Sequence, residues 1–267
     1  MSMGSTKHSI RADRGVTIKG GLPASSTFIY RPDAKPNPRA RLFCFPYAGA
    51  GAAVFRLWPN YLEDDVEVVS LHPPGRAHRL REPPFTRVEA MVEMAVDSFR
   101  DLFDRPFAVF GHSLGAIVGA EFVRVMSESG REAAHLFVSS RSPIPKGRCQ
   151  LHKLEDSEFI VAISERYQGI PREILAQEDL LQLVLPALRA DVEALETFNY
   201  TDRAKIQCPT SVYGGEADPT VSLSDLEAWR AEVLAPCDVR VFAGDHFYLN
   251  TQAKALLAEI SAKLGRL

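Results

Sequence analysis

Read for the alternation of apolar and polar positions, the chain resolves into short apolar runs separated by helical patterns. The runs are TFIY (27–30), RLFCF (41–45), VEVVSL (66–71), FAVFG (107–111), HLFVSS (135–140), TSVYG (210–214) and VRVFAG (239–244). Several are continuous in Val, Phe and Leu, the signature of central strands covered on both faces. Between them, Val88, Met91, Val92, Ala95, Val96, Phe99 and Phe103 recur at helical spacing and make one apolar stripe. Further helices are predicted from Leu114, near Leu223 and near Gln252. This alternation predicts an α/β architecture, a mostly parallel central sheet with helices on both faces. From about 142 to 202 the helical patterns continue without a strand, which predicts a helical insertion. Residues 1–25 read as a polar N-terminal extension, leaving 26–267 as a single domain.

The sharpest local signal is FAVFGHSLGAIVGAEFV, Phe107 to Val123. Gly111-His-Ser113-Leu-Gly115 lies where a strand pattern gives way to a small-residue helix. G-x-S-x-G in that setting is a nucleophile elbow, with the serine hydroxyl raised on a sharp strand-to-helix turn. The first amide of the helix, that of Leu114, then faces the place where an oxyanion would form. A serine needs a base, and the base needs an orienting carboxylate; after such an elbow they follow in the order acid, then histidine. SVYGGEADPTV supplies Glu216 and Asp218 on a turn after a strand, and VFAGDHFYL supplies His246 in the loop after the next. Asp218, fixed by the following Pro219, is the preferred orienter, with Glu216 as the alternative. His246 is the expected base, and His112 reads as a packed histidine. A second oxyanion donor is expected from the small-residue turn after an earlier strand, YAGAG, through the amide of Ala48 or of Tyr47.

Composition narrows the picture further. The chain has 267 residues, 24% charged, with a net charge of −3, so nothing favours a nucleic-acid partner. There is no GxGxxG, no GK[ST] and no His/Cys spacing for a metal, so no cofactor or metal is expected. Cys44, Cys208 and Cys237 lie in or beside strand candidates and read as buried, inert thiols; with Cys149 they form no CxxC pair. The N-terminus lacks an apolar signal core and no apolar run is long enough for a membrane span, so a cytoplasmic enzyme is expected.

FCFPYAGAGAAVFRLWP, HPPGRAHRLREP, GHSLGA, LRADVEALETFNY, YGGEADPTVSLSDLEAWR and GDHFYL occur in this order, from about Arg41 to Phe247. Together they resemble the type II thioesterases, the stand-alone editing enzymes of polyketide and nonribosomal peptide pathways. The resemblance implies the α/β-hydrolase fold, a triad of Ser113, Asp218 and His246, and an oxyanion hole of the Leu114 and Ala48 amides. It implies that the insertion is a mobile lid, and that the substrate is an acyl group on the phosphopantetheine arm of an acyl or peptidyl carrier protein. Such a carrier is expected to be acidic, so Arg76, Arg79, Arg81, Arg141, Lys146, Arg148 and Lys153 are candidates for a basic rim, and Tyr47 is a further candidate for binding substrate or carrier. Alternatively, Glu82 or Asp191 pairs with Arg76 and Arg79 and holds loop and lid in register. Two positions depart from the family pattern: Leu114 stands where methionine is common, and Asp245 adds a charge beside the base. The competing readings are a carboxylesterase or lipase on free esters, and an acyltransferase or chain-releasing enzyme using the same triad.

Overall fold

The computed structural model of the protein describes residues 28–145, 149–167 and 177–265. Seven strands form one sheet: β1 (Ile29–Tyr30), β2 (Ala40–Phe45), β3 (Val66–Leu71), β4 (Phe107–His112), β5 (His135–Ser139), β6 (Thr210–Gly215) and β7 (Cys237–Phe242). Their order is β1-β3-β2-β4-β5-β6-β7; β1 runs antiparallel at one edge and the other pairings are parallel. The predicted strands appear in the predicted order. The last begins two residues earlier than its apolar run and stops before Gly244, whose φ of 122° no strand residue adopts. The first apolar run contributes only its last two residues.

The continuous apolar runs follow from a sheet buried on both sides. Along β2, Phe43 and Phe45 face one core while Leu42 and Cys44 face the other. The same alternation runs through β4, where Phe107 and Val109 oppose Ala108 and Phe110. Helices α1 (Val88–Ser98) and α2 (Leu114–Glu128) cover the first face. The predicted stripe outlasts α1: Phe99 lies just beyond it and stacks on Phe43 with ring centroids 4.3 Å apart.

Between β5 and β6 lie α3 (Asp156–Tyr167) and α4 (Glu178–Thr197). They share a separate small core of Phe159, Ile163, Leu185 and Val192. Polar contacts add to it: Arg189 donates to the carbonyls of His152 and Leu154 at 2.8 and 2.7 Å, and Glu196 accepts the Leu151 amide at 3.0 Å. After β6 come α5 (Leu223–Glu227), then β7, the single turn α6 (Tyr248–Thr251) and α7 (Ala253–Leu264), which covers the second face.

Candidate active site

The parallel register brings the C-terminal ends of five strands, β2, β4, β5, β6 and β7, to one edge. Phe45 pairs with Gly111, His112 with Ser139, and Gly215 with Phe242. The residues that follow these ends, Ala48, Ser113, Ser140, Thr220 and His246, line one cavity of about 310 Å³. Ligands in open α/β sheets bind at this edge because the loops there diverge from the strand ends.

Ser113 links β4 to α2 with φ 55° and ψ −114°, a left-handed backbone that a side chain rarely tolerates. The surroundings hold it there. Its amide donates to Ser139 O at 2.8 Å and its carbonyl accepts the Ala116 amide at 3.0 Å. Both flanking glycines are obligatory for space: a Cβ at Gly111 would overlap the Gly115 carbonyl, and one at Gly115 would overlap the carbonyls of Phe45 and Pro46. Leu114 opens α2, so its amide is among the first helical N–H groups, which have no carbonyl partner within the helix.

His246 and Asp218 meet across two loops. The His246 Nδ1–H donates to Asp218 Oδ2 at 2.8 Å, with both side chains almost wholly buried. Thr220 completes the arrangement by donating its amide (2.9 Å) and hydroxyl (2.7 Å) to Asp218 Oδ1. Burial alone would raise the Asp218 carboxyl, but the hydrogen bonds from His246 and Thr220 outweigh it and hold the group below the usual carboxylate range. Glu216, the alternative acid, is exposed. Asp245 is exposed too and accepts the Phe247 amide at 2.8 Å, so it caps its own turn beside the histidine.

His112 is fully buried, as expected of a packed histidine. Its Nδ1 bonds Ser139 Oγ at 2.8 Å, and that hydroxyl meets Tyr248 Oη at 2.7 Å. Burial, together with the neighbouring His246, pushes the His112 imidazole well below its ordinary value. Its ring lies beside that of His246, with centroids 5.2 Å apart. Tyr47 packs edge-on against His112 and Phe247 at the cavity wall.

The basic residues divide. Arg76 is a correction to the rim expectation: it is 7% exposed and makes a bidentate pair with Asp191 at 2.7 and 3.0 Å, so its charge is neutralised inside the protein. Arg79 is buried as well, pairing with Glu82 and lying over the Phe28 ring at 3.8 Å. Arg81 and Lys153 are exposed. Arg141 lines the cavity and donates to Tyr200 Oη at 3.2 Å. Lys146 and Arg148 lie outside the described residues, as does the N-terminal extension.

The insertion roofs the cavity with Ile163, Val184, Leu188, Val192 and Leu195, a largely apolar surface. Of the cysteines, Cys44 and Cys208 are buried and their thiols are pushed up by burial, Cys208 to about 12, while Cys237 is only partly buried. Cys149, which no sequence motif marks, lines the cavity and accepts from Arg166 at 3.3 Å. Thr220 is marked in the sequence only by its place two residues after the acid. Among the described residues no His/Cys/Asp/Glu group could hold a metal ion, and no helix is long and apolar enough to cross a membrane.

The thioesterase domain family model matches residues 40–264, from β2 to the last helix. This chain belongs to the thioesterase family. The thioesterase is 35% identical over 232 residues to gramicidin S biosynthesis protein GrsT of Aneurinibacillus migulanus, covering 86% of this chain and 90% of that protein. It is 35% identical over 255 residues to thioesterase PikA5 of Streptomyces venezuelae, covering 94% and 89% respectively. Among solved structures, the type II thioesterase BorB from the borrelidin biosynthetic cluster superposes with a TM-score of 0.82 at 30% identity, covering 91% of this chain and all of that one. The α/β-hydrolase type of fold and the activity expected from the motifs follow: the protein is a thioester hydrolase.

Proposed function

We propose that this thioesterase removes acyl groups from the phosphopantetheine arm of acyl or peptidyl carrier proteins, clearing aberrant or stalled units from a polyketide or nonribosomal peptide assembly line. The observation that carries the reading is a buried His246–Asp218 pair and Ser113 on a strained elbow, with His246 and Ser113 lining one largely apolar cavity. Membership of the family and the biosynthetic names of its relatives support the substrate class. Free cysteines at all four positions suit a reducing cytoplasm.

In this reading Ser113 Oγ attacks the thioester carbonyl and His246 Nε2 takes its proton. Asp218 holds the Nδ1–H and stabilises the imidazolium. The carbonyl oxygen becomes an oxyanion held by the amides of Leu114 and Ala48. Collapse breaks the C–S bond. The thiol leaves easily, with a pKa of roughly 8.5, and takes the proton back from His246. Water, activated by the same histidine, then hydrolyses the acyl-serine. The Ile163, Leu188, Val192 and Leu195 roof shelters the acyl chain, and α3 and α4 act as the lid.

The test offers one short acyl group as carrier-protein thioester, CoA thioester and nitrophenyl ester. The carrier form is expected to give the highest kcat/KM, because docking contacts away from the thioester hold the arm in place. Ser113→Ala should abolish turnover of all three, by at least about a thousandfold, with the fold retained. Equal kcat/KM on carrier and CoA substrates would favour a plain esterase, and an active alanine variant would remove the serine mechanism.

A further inference from the structure

Asp191 is a fully buried residue near the cavity, at 0% exposure, and it belongs to α4 of the insertion, not to the sheet. A buried carboxylate must be surrounded by donors. Here they are few and specific. Asp191 Oδ2 accepts the Gly49 amide at 2.7 Å and Arg76 Nη1 at 2.7 Å, and Oδ1 accepts Arg76 Nη2 at 3.0 Å. Arg76 in turn donates to Ala50 O at 3.0 Å and to Pro74 O at 3.2 Å. The carboxylate therefore grips the Tyr47–Ala50 turn twice, directly at Gly49 and through Arg76 at Ala50.

The turn itself is tight. Ala50 N donates to Tyr47 O at 3.0 Å, and Gly49 has φ 76°, the value a type II turn takes with glycine at its third position. Leu188, one turn before Asp191 on α4, closes the space behind Gly49: a Cβ there would lie 3.2 Å from Leu188 Cδ1. With the Gly49 and Ala50 amides committed, the Ala48 amide has no hydrogen-bond partner among the described residues, and Ala48 lines the cavity with Ser113.

We infer that Asp191 is a positioning residue for hydrolysis: it fixes the Tyr47–Ala50 turn so that the Ala48 N–H meets the oxyanion, and it thereby makes the oxyanion hole depend on the seating of α4. The inference rests on the proposed role of Ala48 as an oxyanion donor. Asparagine at 191 keeps the shape but has one accepting oxygen, so its amide group would face the Arg76 guanidinium or the Gly49 N–H, donor against donor. A turn displaced by about 1 Å loses on the order of a hundredfold in rate, and loss of one oxyanion donor about 10²–10³-fold.

The experiment compares wild type, Asp191→Asn and the double variant Asp191→Leu/Arg76→Met. The double variant replaces a buried ion pair by apolar side chains, a change that commonly preserves stability, while still removing the acceptor for Gly49. Each is assayed with a CoA thioester and with an alkylthio trifluoromethyl ketone, which adds Ser113 Oγ to its carbonyl carbon and places an oxyanion in the hole. Both variants are expected to lose at least about thirtyfold in kcat, with KM within about twofold, and to bind the ketone more weakly by the factor lost in kcat/KM. A purely structural tether would instead lower the melting temperature and raise KM without this proportionality. Variants that fold, turn over and bind the ketone within twofold of wild type would overturn the assignment. A fully active wild type that the ketone does not inhibit would instead overturn the serine reading, so the two failures are distinguishable.

Discussion

Thr220 explains at the residue scale why Asp218, and not Glu216, faces His246. Three donors converge on the Asp218 carboxylate, from the Thr220 amide, the Thr220 hydroxyl and His246 Nδ1, and each oxygen is engaged. Pro219 between the two residues restricts the turn that brings Thr220 back over Asp218. Glu216 leaves the strand end toward solvent. Asp218→Asn should therefore preserve the geometry but mis-set the His246 tautomer, lowering kcat by up to about ten-thousandfold, while Glu216→Gln leaves kcat close to wild type. Steady-state kinetics on one thioester checks both, and a reversed order would reassign the orienter. Thr220→Val removes one of the three donors and should fall between them. In the sequence, both acids sit on the same turn and differ by two residues, so Pro219 was the only local discriminator.

At the scale of the elements, the elbow depends on what is absent from Gly111 and Gly115. α2 begins against the ends of β2 and β4 so closely that no side chain fits between them. Gly115→Ala must push the helix from the Phe45 and Pro46 carbonyls. Overpacking of this kind destabilises by roughly 1–3 kcal/mol or more, and it displaces the Leu114 amide as well. Gly130, just past α2 with φ 77°, has nothing within 4 Å of an added Cβ. Gly130→Ala should carry only the conformational penalty, about 1 kcal/mol, with activity unchanged. Urea unfolding of the two variants beside thioester turnover measures the contrast; equal losses would mean that space at Gly115 is not limiting. The strand–elbow–helix unit was legible because its cause is local: an apolar run, a glycine on either side of the serine, then small residues. The link between α4 and the Tyr47–Ala50 turn was legible only as a pair of alternatives for Arg76, since either Glu82 or Asp191 satisfied the charge.

Across the whole molecule, charge and protonation set two further expectations. With Arg76 and Arg79 neutralised inside and a net charge of −3, attraction of an acidic carrier must come from local exposed residues such as Lys153. Lys153→Glu should lower kcat/KM on a carrier substrate and spare a nitrophenyl ester, with the difference shrinking once the Debye length falls below roughly 8 Å. A salt series on both substrates tests this, and an equal effect on the two would exclude steering through Lys153. Stability should depend on pH through three buried histidines, His112 as described above together with His72 and His135. Burial, aided by His78 and Arg79, lowers His72 from 6.5 to about 4, and burial, aided by Lys263, lowers His135 likewise. All three are neutral in the fold, while the unfolded chain takes up their protons below 6.5. Their contribution is complete above that pH and is lost as pH falls through 4, because the unfolded state then binds more protons. The urea midpoint should fall between pH 6.5 and 4, and His135→Gln should flatten part of that slope; an unchanged slope would assign it to other groups. By itself the sequence determined the succession of strands along the chain, the strand–turn–helix unit at Ser113 and the placing of His246 in a loop after a strand, since each is written in residues adjacent along the chain. Only the tertiary structure decided that Arg76 turns inward and that Asp191 reaches Gly49, 142 positions away. A partner at that separation is selected by how α4 packs over the sheet edge, and no periodicity within either segment encodes that packing.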